Sequence, residues 1–340
     1  MLIVSMSRIA IIGAGSWGTA LGIIAGRAGH QVRLWSRNVE VVDSINQQHV
    51  NSRYLAAHEI PSGVEATSEL GEALNDAEFV LLAAPSHVTR ELLVRMTPQL
   101  QSEMIFVSAT KGIEIETGKR ISEVVRDVLG EHFEPRFVCL SGPSFAQEVA
   151  IGHPTAVVAA SSNLTDARLV QEHLSFQNLR IYTNTDVLGT EIGGSVKNVM
   201  AMAAGMVAGL GLGTNSIAAL ITRGLAEMAR FALAQGARME TLMGLAGMGD
   251  LVLTCTGGLS RNRFVGQELG KGRALQDIVS GMHEVAEGVK TTLAVHLLAQ
   301  KLNVEMPITR EVHAVLYEGK RAEDAAGELM VRPLRGEFER

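Results

Sequence analysis

Short, almost wholly apolar runs closed by glycine, proline or serine recur through the first half of the chain, and longer runs of helical period replace them afterwards. Residues 8–12, 31–35, 78–84, 105–109, 137–140, 155–160 and 179–183 read as strands. The run 78–84 is fully apolar after its first residue, as strands covered on both faces are. Helical patterns intervene, at 19–28 and 88–96 for example, so a parallel, doubly wound sheet is predicted. Asn184-Thr185-Asp186 reads as a helix cap. Strand patterns then largely stop, and helices are predicted at roughly 186–208, 214–235, 260–270, 288–302, 308–318 and 321–330.

The first strand runs into Gly13-Ala14-Gly15-Ser16-Trp17-Gly18, then a helix, then the next strand. This is the context in which a glycine turn binds a dinucleotide: Gly13 permits the tight turn, Gly15 admits a pyrophosphate, and Gly18 allows close helix-to-strand packing. The helix N-terminus faces the anion. The expected class is therefore α/β, with an N-terminal Rossmann-like doubly wound sheet over residues 6–188. An all-α C-terminal domain over residues 189–340 would bind substrate and carry the catalysis. The second strand ends in Ser36-Arg37-Asn38, with no carboxylate before Glu40. An arginine there can pair with a 2′-phosphate, which favours NADP(H) and leaves NAD(H) possible. Ligands of such sheets bind beyond the carboxyl ends of the strands, where Pro85, Lys111 and Ser141–Ser144 fall.

From Ile192 to Thr222 the sequence carries one charged side chain, Lys197. A lysine in such surroundings loses hydration, which lowers its pKa and suits a proton donor near neutral pH. A lysine snorkelling from an apolar helix is the competing reading. Gly193 and Gly194 precede it by four and three residues, on the same helical face. They are expected to leave an empty floor beside the ammonium. A second cluster places Asp250 between Gly249 and an apolar run. Thr256-Gly257-Gly258-Leu259-Ser260-Arg261-Asn262-Arg263 follows, where free backbone N–H groups, a hydroxyl, an amide and a guanidinium make an anion site. An ordinary capped helix with exposed arginines is the plainer alternative.

Bulk properties narrow the classes. At 340 residues the chain is long enough for two cores, and 19% charge with 46% hydrophobic residues is that of a globular protein. A net charge of −6 argues against nucleic acid as a partner. Cys139 and Cys255 fit no zinc spacing and suggest a reducing compartment; the scattered histidines show no metal spacing either. Met1-Leu2-Ile3-Val4 has no basic region ahead of it, so no signal peptide is read, and residues before Met6 look like an extension. Residues 198–222 are uncharged, but Gly209, Gly211, Gly213, Thr214 and Asn215 divide them, and neither piece reaches the roughly 20 residues of a membrane span.

Taken in order, the glycine turn, Pro85-Ser86-His87, Ala109-Thr110-Lys111-Gly112, Ser141-Gly142-Pro143-Ser144-Phe145-Ala146, Gly193-Gly194-Ser195-Val196-Lys197-Asn198, Leu245–Leu251 and Ser260–Arg263 resemble bacterial NAD(P)-dependent glycerol-3-phosphate dehydrogenases over about residues 6–330. The resemblance implies that Ser16, Trp17 and Arg37 contact the cofactor, with Ala146 near its nicotinamide end. It implies that Lys111 serves cofactor and substrate, that Gly142 and Ser144 line the substrate, and that Lys197 is the catalytic proton donor or acceptor. Asn198 and Asp250 would lie beside it. Ser260, Arg261 and Asn262 would hold the substrate phosphate, Arg261 also approaching the cofactor, while Val285 and Glu287 close over the dinucleotide. The implied reaction interconverts dihydroxyacetone phosphate and sn-glycerol 3-phosphate for glycerophospholipid synthesis, in a cytoplasmic homodimer. Two rivals remain. A beta-hydroxyacid-type dehydrogenase would place an asparagine four residues after the lysine, where this chain has Ala201. A non-catalytic NADPH sensor would have no need of Lys197, Asp250 and the anion site together.

Overall fold

The computed structural model describes residues 5–282, 286–334 and 336–337. The chain begins β1 (Arg8–Ile12), α1 (Ser16–Arg27), β2 (Gln31–Trp35) and α2 (Val39–Gln48). A small hairpin, β3 (Val50–Asn51) and β4 (Leu55–Glu59), precedes β5 (Val64–Thr67) and α3 (Leu70–Leu74). Then come β6 (Phe79–Leu82), α4 (Ser86–Met96), β7 (Ile105–Ser108), α5 (Ile121–Leu129), β8 (Arg136–Ser141) and α6 (Ala146–Ile151). β9 (Thr155–Ala160), α7 (Leu164–Leu174) and β10 (Leu179–Asn184) complete the sheet region.

The strands form one sheet in the order β10-β9-β8-β7-β6-β1-β2-β5. Alternate residues of each strand feed two apolar layers. Ile9 and Ile11 face a layer with α1, α6 and α7, whereas Ala10 and Ile12 face a layer with α3, α4 and α5. Helices on both faces explain the absence of polar alternation. The expectation of a parallel sheet holds except at one junction, where β8 and β9 are antiparallel. Only short α6 lies between them, and a parallel return needs a crossover long enough to recross the sheet. β5 was not anticipated; it is a four-residue edge strand in which Val64 and Ala66 are buried and Glu65 is exposed.

Beyond β10 the described residues form helices: α8 (Val187–Gly209), α9 (Thr214–Leu233), α10 (Met239–Met243), α11 (Asp250–Thr256) and α12 (Arg261–Gly270). α13 (Leu275–Ser280), α14 (Glu287–Lys301), α15 (Pro307–Tyr317) and α16 (Ala322–Met330) follow. A π-helical turn, Leu245–Gly249, leads into α11. Among the described residues no helix is long and apolar enough to cross a membrane. α8 starts at the predicted cap, where Asp186 Oδ1 accepts the Gly189 N–H at 2.8 Å. Every residue of α8 from Gly189 to Met206 is buried, so it reads as apolar all round because other elements cover it all round.

Its tightest contact is with α12. A Cβ on Gly205 would lie 2.1 Å from the Arg263 carbonyl oxygen, and one on Gly266 would lie 2.0 Å from that of Met202. Only paired glycines let the two backbones approach so closely, and this approach fixes where the α12 N-terminus sits. Gly205→Ala should therefore destabilise the protein by about 1–3 kcal/mol through overpacking. Gly327→Ala, at an exposed site in α16 with nothing within 4 Å, should stabilise by about 0.5–1 kcal/mol through helix propensity. Urea unfolding of the two variants checks the opposite signs.

Candidate active site

The sheet's ligand edge opens with the turn between β1 and α1. Gly13 has φ +122, and a Cβ there would meet the Ala83–Ala84 backbone at 2.8 Å. A Cβ on Gly18 would lie 1.9 Å from the Gly13 carbonyl oxygen. Gly15 differs: nothing lies within 4 Å of the Cβ it lacks, which leaves room for a ligand in front of the α1 N-terminus. Trp17 points an indole N–H that is buried without a hydrogen-bond partner. Ser16 Oγ donates to the Tyr54 carbonyl at 3.1 Å. At the end of β2, Arg37 is exposed and Asn38 caps α2, its Oδ1 accepting the Glu40 N–H at 2.8 Å. An open glycine, an unsatisfied buried donor and a helix start with no acid in its first turn fit an anionic dinucleotide.

Two strands further along, Lys111 follows the end of β7. Its Nζ donates to Asp250 Oδ2 at 2.8 Å. Lys197, in the middle of α8, donates to Asp250 Oδ1 at 2.5 Å and to Thr254 Oγ at 2.7 Å. Three residues singled out separately in sequence thus share one carboxylate. Asp250 is 1% exposed and Lys197 6%, while the Lys111 side chain keeps 18% of its surface. Burial pulls the Lys197 ammonium down to about 8 from the usual lysine range; Asp250 opposes the shift and the like charge of Lys111 adds to it. Burial alone would raise the Asp250 carboxyl, but Lys111 and Lys197 outweigh it and hold it below its ordinary value. Lys197 is therefore no snorkelling lysine.

Thr254 was not anticipated. It stands one helical turn after Asp250, and that spacing on an acid-bearing helix was the available signal. Its hydroxyl donates to the Asp250 carbonyl at 2.7 Å, so it meets Lys197 as an acceptor. Ser195 was also passed over: its Oγ accepts the Gly112 N–H at 3.0 Å and donates to the Glu191 carbonyl at 2.7 Å, tying the Lys111 loop to α8.

The empty floor expected at Gly193 and Gly194 is overturned. A Cβ on Gly193 would lie 2.4 Å from the Ala246 carbonyl oxygen, and one on Gly194 would lie 2.6 Å from Ser141 Oγ. These glycines bring α8 against the π-turn before Asp250 and against the end of β8. Gly142 has φ +142 and packs on β9, where a Cβ would lie 2.9 Å from Val157 Cα. Ser144 Oγ donates to the Gly142 carbonyl at 3.0 Å, and Ala146 begins α6.

The candidate anion site has its own geometry. Ser260 caps α12, its Oγ accepting the Arg263 N–H at 3.2 Å. Arg261 is exposed at the first position of that helix. Asn262 turns inward, its Oδ1 accepting the Gly288 N–H at 2.9 Å, so it holds the start of α14. Asn198, next to Lys197, is buried with its backbone oxygen near Gly288. Burial pushes the Glu287 carboxyl up to about 7, against the charges of Arg261, Lys111 and Lys197 and the Ser86 N–H. One carboxyl therefore senses the α12 start, both lysines and the start of α4. Val285 lies outside the described residues.

The chain matches two family models, the N-terminus of NAD-dependent glycerol-3-phosphate dehydrogenase over residues 8–167 and its C-terminus over residues 186–327. It is 57% identical to a glycerol-3-phosphate dehydrogenase [NAD(P)+] of Koribacter versatilis over 330 residues, covering 96% of this chain and 98% of that one. The corresponding protein of Geobacter sulfurreducens is 50% identical, with 97% and 98% covered. A crystal structure of glycerol-3-phosphate dehydrogenase from Coxiella burnetii superposes with a TM-score of 0.92 at 42% identity, covering 96% of this chain and 99% of that chain. The chain belongs to the NAD-dependent glycerol-3-phosphate dehydrogenase family.

Proposed function

We propose that this protein is an NAD(P)-linked glycerol-3-phosphate dehydrogenase, reversibly reducing dihydroxyacetone phosphate to sn-glycerol 3-phosphate for glycerophospholipid synthesis, with Lys197 as proton donor and acceptor. The observation that carries it is the buried Lys197 ammonium held on Asp250 and Thr254 beneath the ligand edge of a dinucleotide-type sheet. NAD(P)H, when bound, supplies the hydride for the keto carbon. Gly13, Gly15, Ser16, Trp17 and Gly18 would form its cradle, with Ala146 near its nicotinamide end, Lys111 and Arg261 approaching it and Glu287 closing over it.

An ammonium has three N–H groups. Asp250 and Thr254 take two from Lys197, which leaves one for the keto oxygen as negative charge grows there. Asp250 fixes the ammonium and Lys111 together, so both are aimed before substrate arrives. Ser260, Arg261 and Asn262 form the phosphate clamp, in which the α12 backbone and the Arg261 guanidinium are the donors and Asn262 sets the distance to α14. Gly142, Ser144 and Asn198 bound the triose from the sheet and from α8. The clamp uses binding energy away from the reacting carbon to orient it.

NADP(H) is the favoured cofactor, on account of Arg37. Burial, then Lys290 and Arg37, hold the His87 pKa below its usual value against Glu116, so Arg37 lies near the start of α4. A cytoplasmic homodimer is part of the proposal on the family resemblance alone.

The direct test is NADPH consumption with dihydroxyacetone phosphate set against 3-oxo acids. Turnover with the triose phosphate alone is expected; a preference for the 3-oxo acids would move the protein to the beta-hydroxyacid group. Lys197→Ala should lower turnover by about 10²–10⁴-fold. In the unaltered protein Lys197 is charged below its pKa of about 8, so ketone reduction should fall as pH rises through that value. Alcohol oxidation, which needs the neutral amine, should rise through the same window; parallel pH profiles for the two directions would rule out Lys197 as the shared acid and base. Arg37→Asp should shift preference toward NADH, seen as a fall in the NADPH-to-NADH ratio of kcat/KM; an unchanged ratio would exclude 2′-phosphate recognition by Arg37.

A further inference from the structure

The hairpin of β3 and β4 lies between α2 and β5, and no part of the proposed chemistry uses it. Asn51, at its start, is fully buried. Its Nδ2 donates to the Ala14 carbonyl at 2.9 Å and to Thr19 Oγ1 at 2.8 Å. Its Oδ1 accepts the Tyr54 N–H at 3.2 Å. The Tyr54 carbonyl in turn accepts from Ser16 Oγ. Ser44 secures the hairpin from α2, its Oγ donating to the Val50 carbonyl at 2.7 Å. The glycine turn is thus fastened from behind at Ala14 and at Ser16, by two residues three apart in one hairpin.

The first fastening has a geometric consequence. A trans peptide is planar, and its C=O and N–H point in opposite directions. Holding the Ala14 carbonyl on the Asn51 amide turns the N–H of Gly15 away from the hairpin. Nothing lies within 4 Å of the Cβ that Gly15 lacks, so there is open space beside this peptide. Glycine residues on either side of Ala14 make this peptide easy to rotate, so it needs an external hold. We propose that Asn51 is a positioning residue for the cofactor: it locks the Ala14–Gly15 peptide so that the Gly15 N–H faces the dinucleotide pyrophosphate. This rests on the dinucleotide assignment of the turn.

The test is fluorescence titration of the full-length protein with NADPH and with NADH, alongside steady-state kinetics. Asn51→Ala should raise the dissociation constants of both cofactors by a similar factor, about tenfold for one hydrogen bond to a charged group. Turnover at saturating cofactor and the KM for dihydroxyacetone phosphate should stay within about threefold, since neither depends on that bond. Asn51→Asp, of the same size, removes the donor and should act in the same direction if the alanine variant does not fold. Thr19→Val removes the other partner of Nδ2 and should leave cofactor binding nearly unchanged. Unaltered cofactor affinity in folded Asn51→Ala or Asn51→Asp would overturn the proposal, as would an equal loss in Thr19→Val. A loss confined to NADPH would also overturn it, because the pyrophosphate is common to both cofactors. Failure of the wild-type protein to bind either dinucleotide would instead remove the assignment on which it rests.

Discussion

A single buried carboxylate organises the molecule. Asp250 is 1% exposed and receives Lys197 on one oxygen and Lys111 on the other. A carboxylate so placed is strongly destabilising without partners, and breaking a buried pair costs about 3–5 kcal/mol. Its partners come from different parts of the chain: Lys111 from the end of a sheet strand, Lys197 from α8, and Asp250 itself from the start of α11. The cluster that would perform the chemistry therefore also ties the sheet to the helices. Its summed charge is +1, a suitable lining for a cleft that receives a phosphate ester.

The cluster holds its shape because α8 is covered on every side. Toward the sheet, Glu191 accepts from Arg120 and from the Ser122 backbone N–H, at 2.9 and 2.7 Å, and Ser195 holds Gly112. Toward α11, Gly193 rests on the π-turn, and toward α12, Gly205 and Gly209 accept a carbonyl where a side chain would otherwise be. Lys197 and the start of α12 are separated by two turns of one rigid helix and the helix packed on it. Their spacing is set by backbone contact, which is stiffer than contact between long side chains.

Features with local causes were legible in the sequence. The glycine turn, the Asp186 cap, the strands buried on both faces and the isolation of Lys197 all follow from composition within a few residues of the feature. Lys111 and Asp250 were legible as motifs, but letters could not say that they meet on one carboxylate. Glycine misled at residues 193 and 194, because a missing side chain reports that something comes close without saying whether it is a ligand or a backbone. The antiparallel β9, the edge strand β5 and Thr254 depend on what packs against them. Asn51 is the extreme case, an ordinary polar residue in sequence whose side-chain N–H groups find partners more than thirty positions earlier.

Two lysines around one acid make a tunable donor. With Asp250 alone beside it, Lys197 would be held charged, and an ammonium so stabilised gives up its proton reluctantly. Burial and the like charge of Lys111 act against that pair and bring the pKa to about 8. Lys111 thus offsets the carboxylate without leaving it unpaired, and it keeps part of its surface in the cleft. An anionic substrate entering there adds opposite charge near Lys197 and favours its protonated form. The proton would then be held most firmly before hydride transfer and released as the keto oxygen becomes an alkoxide, whose greater basicity supplies the driving force. The same three residues keep the site neutral enough to be buried and charged enough to act.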